Sequence, residues 1–239
     1  MSNLKISYLI TASTETDTFQ RLLNHLIEVN KTTEDEIVIL LDKKYATPGN
    51  PTYEIVVNMF HDYCGIPTER GRIIVHDLNN NYGGHKNFGI ENCRGNYVWQ
   101  IDGDELPPEA LLGENLHSLL ESNPLIEAYA IPRINAWHGL TEAHAKRWGW
   151  SLDMSPTYGR VRAAWPDYQW RLFKNDYPRI QFKKRLHEKI EGYKTEAMLP
   201  MDESFALYHD KTIEIQEATN LRYNKDFTVA ENRGISDVQ

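Results

Sequence analysis

The stretch Asn96-Tyr-Val-Trp-Gln-Ile-Asp-Gly-Asp-Glu105 places a short apolar run directly before a cluster of acids. Its first six residues are rich in β-formers, which predicts a buried strand that stops at Asp102. Asp102 and Asp104 then flank Gly103, a residue that lets the backbone turn tightly or approach a ligand. Paired carboxylates at a strand end can bind a hard divalent cation. The pattern is weak alone, because chance supplies on the order of one D-x-D in a chain of this length.

Strands and helices alternate along the chain before and after this segment. Apolar, β-prone runs predict strands, and apolar residues three and four positions apart predict helices. The predicted strands cover residues 5–10, 36–41, 72–76 and 96–101. The first two predicted helices cover residues 18–30 and a stretch that begins at Asn50-Pro51. A glycine-containing turn at 79–84 leads into a third helix at 86–93, and a fourth runs from Pro107-Pro108 to about residue 121. Such alternation is typical of a parallel sheet with helices on both faces.

The last third of the chain has a different character. Five of the six tryptophans, at positions 137, 148, 150, 165 and 170, lie there among glycine, histidine and proline. Further strands are predicted at 128–133, 168–174, 180–184 and 203–209, followed by a helix at 212–224. We therefore predict an α/β fold: one domain, residues 1–225, with a mostly parallel central sheet and a smaller mixed sheet in its C-terminal third. Residues 226–239 are predicted to be a polar tail.

Three of the predicted strands end in polar side chains, at Thr11, Asp42 and Asp102. In an open parallel sheet, ligands bind beyond the carboxyl ends of the strands. Because parallel strands share that edge, these three side chains are expected to lie at one edge of the sheet. This placement gives the acids a physical reason to contact a ligand.

Composition argues against several classes of function. The 239 residues carry a formal net charge of -8, and the longest basic run is Lys183-Lys184-Arg185, so wholesale nucleic-acid binding is not expected. No apolar run reaches 18 residues, and the first residues lack the pattern of a signal peptide. Cys64 and Cys93 form no disulfide framework, which favours a reducing compartment. We expect a cytoplasmic protein without a transmembrane segment.

Three motifs follow one another in a specific order. The first motif starts at Asn87-Phe-Gly-Ile90 and continues through a short helix, Gly95 and a strand to the D-x-D. The second is Trp165-Pro-Asp-Tyr-Gln-Trp-Arg-Leu-Phe-Lys174, and the third is Leu186-His-Glu-Lys-Ile190. Together they resemble the family 2 glycosyltransferases, whose fold is called GT-A. The second and third motifs resemble a branch that includes cytosolic enzymes building lipopolysaccharide core and other surface glycans. The resemblance depends on the ordered combination, because no single motif would suffice.

The resemblance implies an enzyme that moves a sugar from a nucleotide-sugar donor, with a UDP- or GDP-sugar expected, to a glycan or lipid-linked acceptor. The implied cofactor is Mn²⁺ or Mg²⁺. Residues 1–125 would bind the nucleotide sugar, and residues 126–225 would form the acceptor side. The resemblance to the family also implies roles for single residues. Asp104 and His209 resemble its metal ligands. The residues that resemble its donor contacts are Thr11, Ala12, Asp42, Lys86, Asn87, Asp102 and Gly103.

The chemistry requires a stabilised leaving group and a proton acceptor. Departure of a nucleoside diphosphate leaves negative charge on phosphate oxygens, which a metal at Asp104 would stabilise. An acceptor hydroxyl needs a carboxylate within hydrogen-bond reach. Asp167 lies near the position of the general base in inverting members and is the predicted base, with Glu188 as the second candidate. Trp148 and Trp150 are predicted to contact the acceptor.

Each assignment has a structural alternative. Asp42 and Asp167 could end a strand or cap a turn, Lys86 could be a solvated lysine, and the tryptophans could fill the core of the smaller sheet. Two departures from the family pattern, at residues 12–16 and 42–48, fall in the nucleotide pocket and leave the donor's base and sugar open.

Two rival functions are compatible with parts of the same pattern. A sugar-phosphate nucleotidyltransferase usually has a glycine-rich, basic loop after its first strand, whereas residues 11–17 contain neither glycine nor lysine. A non-catalytic glycan- or nucleotide-binding module on the same fold stays open, although the acids Asp167 and Glu188 make it less expected.

Overall fold

The structure is a computed structural model that describes residues 4–29, 33–61, 70–157 and 160–232. Within these residues the main sheet has seven strands, in the order β13 (Glu196–Met198), β6 (Ala128–Ile131), β10 (Gln169–Lys174), β4 (Tyr97–Asp102), β1 (Ile6–Ala12), β2 (Glu36–Asp42) and β3 (Gly71–His76). Strand β1 pairs in parallel with β2 and β4, and β2 pairs in parallel with β3. Strand β10 runs antiparallel to β4 and β6.

The described residues also form a second, smaller sheet. Its five strands are, in order, β5 (Glu105–Leu106), β14 (Leu207–Thr212), β7 (Arg133–His138), β9 (Arg160–Ala163) and β8 (Leu152–Thr157). A separate antiparallel hairpin pairs β11 (Gln181–Lys183) with β12 (Lys189–Glu191). The predicted α/β fold, with a mostly parallel main sheet and a smaller mixed sheet, is confirmed.

Helices cover both faces of the main sheet. The helices of the described residues are α1 (Asp17–Val29), α2 (Pro51–His61), α3 (Tyr82–Glu91), α4 (Gly113–Ser122), α5 (Glu142–Trp148), α6 (Ile213–Asp226) and α7 (Val229–Asn232), of which α5 and α6 pack with the second sheet. On one face, α1 and α4 bury leucines against strand residues such as Trp99. On the other, Ile90 of α3 packs with Phe182 and Ile190 of the hairpin. Burial of these apolar side chains drives the layering and brings the hairpin next to α3.

Helix α3 begins earlier than predicted. Residues 79–84 were predicted to be a turn, but the helix starts at Tyr82, and Asn81 caps it by accepting a hydrogen bond from the Gly84 amide at 3.0 Å. Gly83 therefore lies in the first helical turn. A side chain there would overlap the carbonyl oxygen of Lys184. Gly83 allows a close approach between helix and hairpin, which local sequence does not reveal.

Three further boundaries differ from the predictions. The strand predicted at 128–133 is divided at Pro132, which donates no N–H to a ladder, and the chain passes there from the main sheet into the second. The strand predicted at 203–209 starts with a 3₁₀ turn, Glu203–Phe205. The helix predicted from Pro107 is instead a 3₁₀ turn, Glu109–Leu111, followed by α4, which starts at Gly113 with a φ of +54°.

The predicted polar tail contains structure. Helix α7 lies inside it, and Phe227 is buried beside Tyr82 and Tyr223. The rest of the tail, residues 233–239, and Cys64 lie outside the described residues. In the part of the chain that the structure describes, every helix is too short or too polar to cross a membrane.

Candidate functional site

The carboxyl edge of the main sheet brings the predicted residues together. Thr11 is the register partner of Asp102, and its hydroxyl donates to Asp102 Oδ1 at 2.9 Å. The amide of Gly103 donates to the Thr11 carbonyl, also at 2.9 Å. A Cβ on Gly103 would lie 3.1 Å from that carbonyl oxygen and 3.6 Å from the Ala12 methyl group, which explains the need for a small residue. The predicted convergence of strand ends at this edge is confirmed for Thr11 and Asp102.

Asp102 is held by positive charge on both of its oxygens. Arg171 donates to Oδ2 at 2.7 Å, Gln100 donates to Oδ1 at 2.8 Å, and the Lys86 ammonium lies 3.1 Å from Oδ1. Burial acts to raise the pKa of Asp102, but Arg171 and then Lys86 outweigh it and hold the pKa well below its usual range. The carboxylate is therefore anionic across the physiological pH range.

Lys86 joins Asp102 to the second candidate base. It lies on the hairpin side of α3, and its Nζ is 2.6 Å from Glu188 Oε1. The lysine side chain is 5% exposed, so the alternative of a solvated lysine is wrong. Since a buried ammonium group needs anionic partners, Lys86 links the hairpin to the strand edge.

Asp104 faces the end of the second sheet. Its Oδ2 lies 3.3 Å from His209 Nε2 and 3.2 Å from Lys211 Nζ. His209 and Lys211 are two positions apart on β14, so both project from the same face of the strand. Burial acts to raise the pKa of Asp104, but His209 in its protonated form and then Lys211 outweigh it and lower the pKa.

Asn135 connects the predicted base, Asp167, to the predicted metal ligand His209. Its amide nitrogen donates to Asp167 Oδ2 at 2.8 Å, and its Oδ1 lies 2.8 Å from His209 Nδ1. Since Oδ1 can only accept, His209 Nδ1 carries a proton. In a neutral ring, Nε2 then presents a lone pair to Asp104.

That arrangement fits a divalent cation. When the ring is neutral, the Asp104 carboxylate oxygen and the imidazole lone pair face each other at 3.3 Å as two acceptors. A ligating histidine commonly donates its other N–H to a second residue in this way. Mg²⁺ and Mn²⁺ take oxygen and imidazole ligands and complete their shell with water and substrate phosphate. No cluster of three or more His, Cys, Asp or Glu in the described ranges could hold a metal by itself. A cation at this position would take Asp104 and His209 as protein ligands and the remaining ligands from water and substrate.

Asp167 is fixed by several donors. Arg133 donates to Oδ2 through Nε at 2.9 Å and Nη2 at 2.6 Å, and Gln169 donates to Oδ1 at 2.7 Å. Burial acts to raise the pKa of Asp167, but Arg133 outweighs it and lowers the pKa. Arg133 also bonds Glu105 at 2.9 Å. The carboxylate is ionised and oriented, and its Oδ1 carries the lighter hydrogen-bonding load.

Two predicted donor contacts have structural partners. Asp42 is buried, and its Oδ1 accepts from the amides of Lys44 and Leu78, at 3.3 and 3.2 Å, so the carboxylate holds the loops after β2 and β3. Asn87 donates to the carbonyl oxygen of Phe182 and accepts from its amide, at 2.9 and 2.7 Å. Asn87 thereby attaches α3 to the hairpin.

The tryptophans pack on one another. Trp137 contacts Trp150 with ring centroids 5.1 Å apart, Trp150 contacts Trp148 at 4.9 Å, and His144 stacks on Trp148 at 5.4 Å. Trp137 also meets His209 edge-on at 6.1 Å. The predicted acceptor role of Trp148 and Trp150 stays a prediction, and the packing shows that both also support the second sheet.

Sequence reasoning missed the buried cations and their partners. The residues concerned are Gln100, Glu105, Arg133, Asn135, Arg171 and Lys211. Two signals were present. Arg171 interrupts the apolar run of β10, and a buried arginine requires an anionic partner. Lys211 follows His209 by two positions in a strand, so it shares the face of a predicted metal ligand.

Comparison with known proteins adds independent evidence. The model of a family described as "Glycosyl transferase family 2" matches residues 7–160, more than half of the chain. The solved structure of S. aureus TarS 1-349 is similar at 15% identity and a TM-score of 0.56, covering 99% of this chain and 67% of that one. The same TarS segment in complex with UDP-GlcNAc is similar at 14% identity and a TM-score of 0.56, covering 99% and 68%.

A third structure is the mannosyltransferase PcManGT from Pyrobaculum calidifontis in complex with GDP-Man and Mn²⁺. It is similar at 13% identity and a TM-score of 0.56, covering 98% of this chain and 65% of that one. The chain spans 41% of a longer TarS structure. No curated protein matches it.

Proposed function

The chain belongs to glycosyl transferase family 2, and we propose that it moves a sugar from a UDP- or GDP-sugar to an acceptor hydroxyl, with metal dependence and with inversion. The observation that carries the proposal is the pair Asp104–His209, which converges at 3.3 Å beyond the edge of the sheet. Neighbouring structures hold UDP-GlcNAc and GDP-Man with Mn²⁺, which supports this class of donor and this cofactor.

In this proposal the donor diphosphate lies at the edge where β1, β4 and β14 end. Mn²⁺ or Mg²⁺ held by Asp104 and His209 would supply Lewis-acid stabilisation of the leaving diphosphate. Lys211 adds a second positive charge at Asp104, 3.2 Å from Oδ2. Thr11, Ala12 and Gly103 shape the floor of this edge and keep side chains out of the path of the donor.

The acceptor hydroxyl must lose its proton as it attacks the anomeric carbon. We assign that proton to Asp167 Oδ1, with Glu188 as the second candidate. Arg133 and Asn135 fix the orientation of Asp167 by binding its other oxygen. Attack from the face opposite the leaving group in one displacement inverts the anomeric centre, and the developing charge resembles the oxocarbenium ion of glycoside hydrolysis.

Thermal unfolding in the presence of nucleotide sugars tests the donor site. UDP-, GDP-, CMP- and dTDP-sugars are each added with and without Mn²⁺, because a ligand that binds the folded state raises its stability. At least one UDP- or GDP-sugar should raise Tm, and Asp104→Asn should abolish the metal-dependent part. If no nucleotide stabilises the protein in either condition, the donor site is wrong.

A matched pair of variants tests the base. Asp167→Asn should retain donor binding and lose transfer, whereas Glu188→Gln should retain most transfer. Transfer can be followed as release of nucleoside diphosphate with water as the acceptor. Retained turnover in Asp167→Asn and lost turnover in Glu188→Gln would move the base role to Glu188. Unchanged turnover in both would exclude a carboxylate base at either position.

A further inference from the structure

The hairpin that carries Glu188 is basic in an acidic protein. In the run Lys183-Lys-Arg-Leu-His-Glu-Lys189, four of the seven residues are Lys or Arg, whereas the whole chain has a formal net charge of -8. Lys183 and Lys189 are register partners in the β11–β12 ladder, and both are exposed. Like charges directly opposite each other destabilise an antiparallel pair. A feature that opposes stability in this way is expected at functional sites.

The tip of this hairpin has a defined conformation. Lys184 and His187 have φ values of +73° and +52°, which non-glycine residues adopt only when their surroundings enforce it. The Arg185 carbonyl accepts from the Tyr82 amide at 2.8 Å, and His187 Nε2 lies 2.8 Å from the Asn232 carbonyl oxygen. Helices α3 and α7 thus hold the backbone of the tip from two sides.

The basic run lies next to the proposed donor site. Glu188 Oε1 contacts Lys86, and Lys86 contacts Asp102, so a single lysine side chain separates the hairpin from the strand edge. Tyr82 and Tyr223 stand beside it with ring centroids 6.1 Å apart and are partly exposed.

Two acids, Glu231 and Glu191, lie near the basic run. Glu231 lies 3.4 Å from Arg185, whose guanidinium is also 5.7 Å from the Phe227 ring, so Arg185 contributes to packing of α7. Glu191 is the register partner of Gln181 and lies farther from the tip. The positive charge at Lys183 and Lys189 therefore dominates the outer part of the hairpin.

We propose that this hairpin binds an acceptor that carries phosphate groups and guides it toward the donor site. Lysine ammonium groups suit phosphate as mobile point charges, and a basic patch raises the local concentration and the association rate of an anionic substrate. The inference rests on the proposed function, because it identifies the chemical class of that function's acceptor.

Binding of inorganic polyphosphate in metal-free buffer tests the proposal. The variant Lys183→Gln/Lys189→Gln is compared with Lys5→Gln/Lys146→Gln, which removes the same charge from exposed positions elsewhere. The hairpin variant should bind polyphosphate about tenfold more weakly, and the control should bind within about twofold of the parent. The Tm of the hairpin variant should not fall, because its substitutions relieve the repulsion between the two lysines.

Vesicles identify the source of the phosphate. Hairpin-dependent binding to phosphatidylglycerol vesicles, but not to phosphatidylcholine vesicles, would place the phosphate on a lipid headgroup, and binding to polyphosphate alone would place it on a soluble or polymeric acceptor. Equal loss in the control, or no loss in the hairpin variant, overturns the proposal. The nucleotide-induced shift in Tm should persist in both variants, and its absence in the parent chain would refute the proposed function while leaving the hairpin result intact.

Discussion

Replacing Lys86 with methionine tests whether one buried ammonium group holds the hairpin to the strand edge. Nζ lies 2.6 Å from Glu188 and 3.1 Å from Asp102, and the side chain is 5% exposed. At an effective dielectric constant of about 20, each contact has a gross attraction of about 5–6 kcal/mol. Desolvation offsets much of this, and removal of one partner of a buried pair costs about 3–5 kcal/mol. Methionine retains the apolar stem near the Phe182 ring.

A double-mutant cycle isolates the pair from its surroundings. Glu188→Gln alone should lower the unfolding free energy by only about 1 kcal/mol, because Lys86 keeps Asp102 as a partner. Lys86→Met/Glu188→Gln should cost about 1–2 kcal/mol less than the sum of the single changes. Urea denaturation with constant m-values measures all three variants. Simple additivity would show that the two side chains do not interact in solution and would refute the reasoning.

Three further changes probe other parts of the fold. The hydrogen bond to Asp35 raises the pKa of His117. The pair should therefore add about 1 kcal/mol to the unfolding free energy below pH ~6.5, and this contribution should be lost as pH rises through the raised folded-state pKa. His117→Gln should remove this pH dependence from the unfolding free energy measured by urea titration. Gly83→Ala should lower the unfolding free energy by about 1–3 kcal/mol, because the new methyl group overlaps the Lys184 carbonyl, and an unchanged Tm would contradict that contact. Burial raises the pKa of the Cys93 thiol to about 12, so peptide mapping after iodoacetamide treatment at pH 8 should find it unmodified until the protein is denatured.

The main strands could be predicted because their signal is local. Residues 37–41 are continuously apolar, as expected for a strand that is covered on both faces, and β2 is fully buried. The place of Asp102 at the sheet edge followed from strand order alone. Predictions were wrong for element boundaries that depend on partners distant in the sequence. Tyr82 could be assigned to a helix only with knowledge of the hairpin that packs on Gly83, which lies about a hundred residues away in the sequence.

The acids of the site were easier to predict than the cations that surround them. An acid pair around a glycine is visible in a short window of the sequence, whereas Arg171 and Asp102 lie 69 positions apart along the chain. Arg133 likewise joins Glu105 and Asp167 by folding. A pattern shows which side chains could carry charge, but pairing follows from topology. Folding also shows that Asp167 does more than cap a turn, because its carboxylate binds side chains of β7 and β10.

Asn135 sets the tautomer of His209, and this leads to a final prediction. With Nδ2 committed to Asp167, Asn135 Oδ1 accepts from His209 Nδ1, both contacts being 2.8 Å. Ring-nitrogen NMR of the metal-free protein should therefore show His209 protonated at Nδ1 whenever the ring is neutral. Asn135→Leu removes the acceptor, so the neutral ring should turn its proton toward Asp104, and Mn²⁺ affinity measured by calorimetry should fall about 10–100-fold. A neutral His209 protonated at Nε2 in the parent protein would mean that this nitrogen faces Asp104 as a donor, and the case for a metal at this pair would fail.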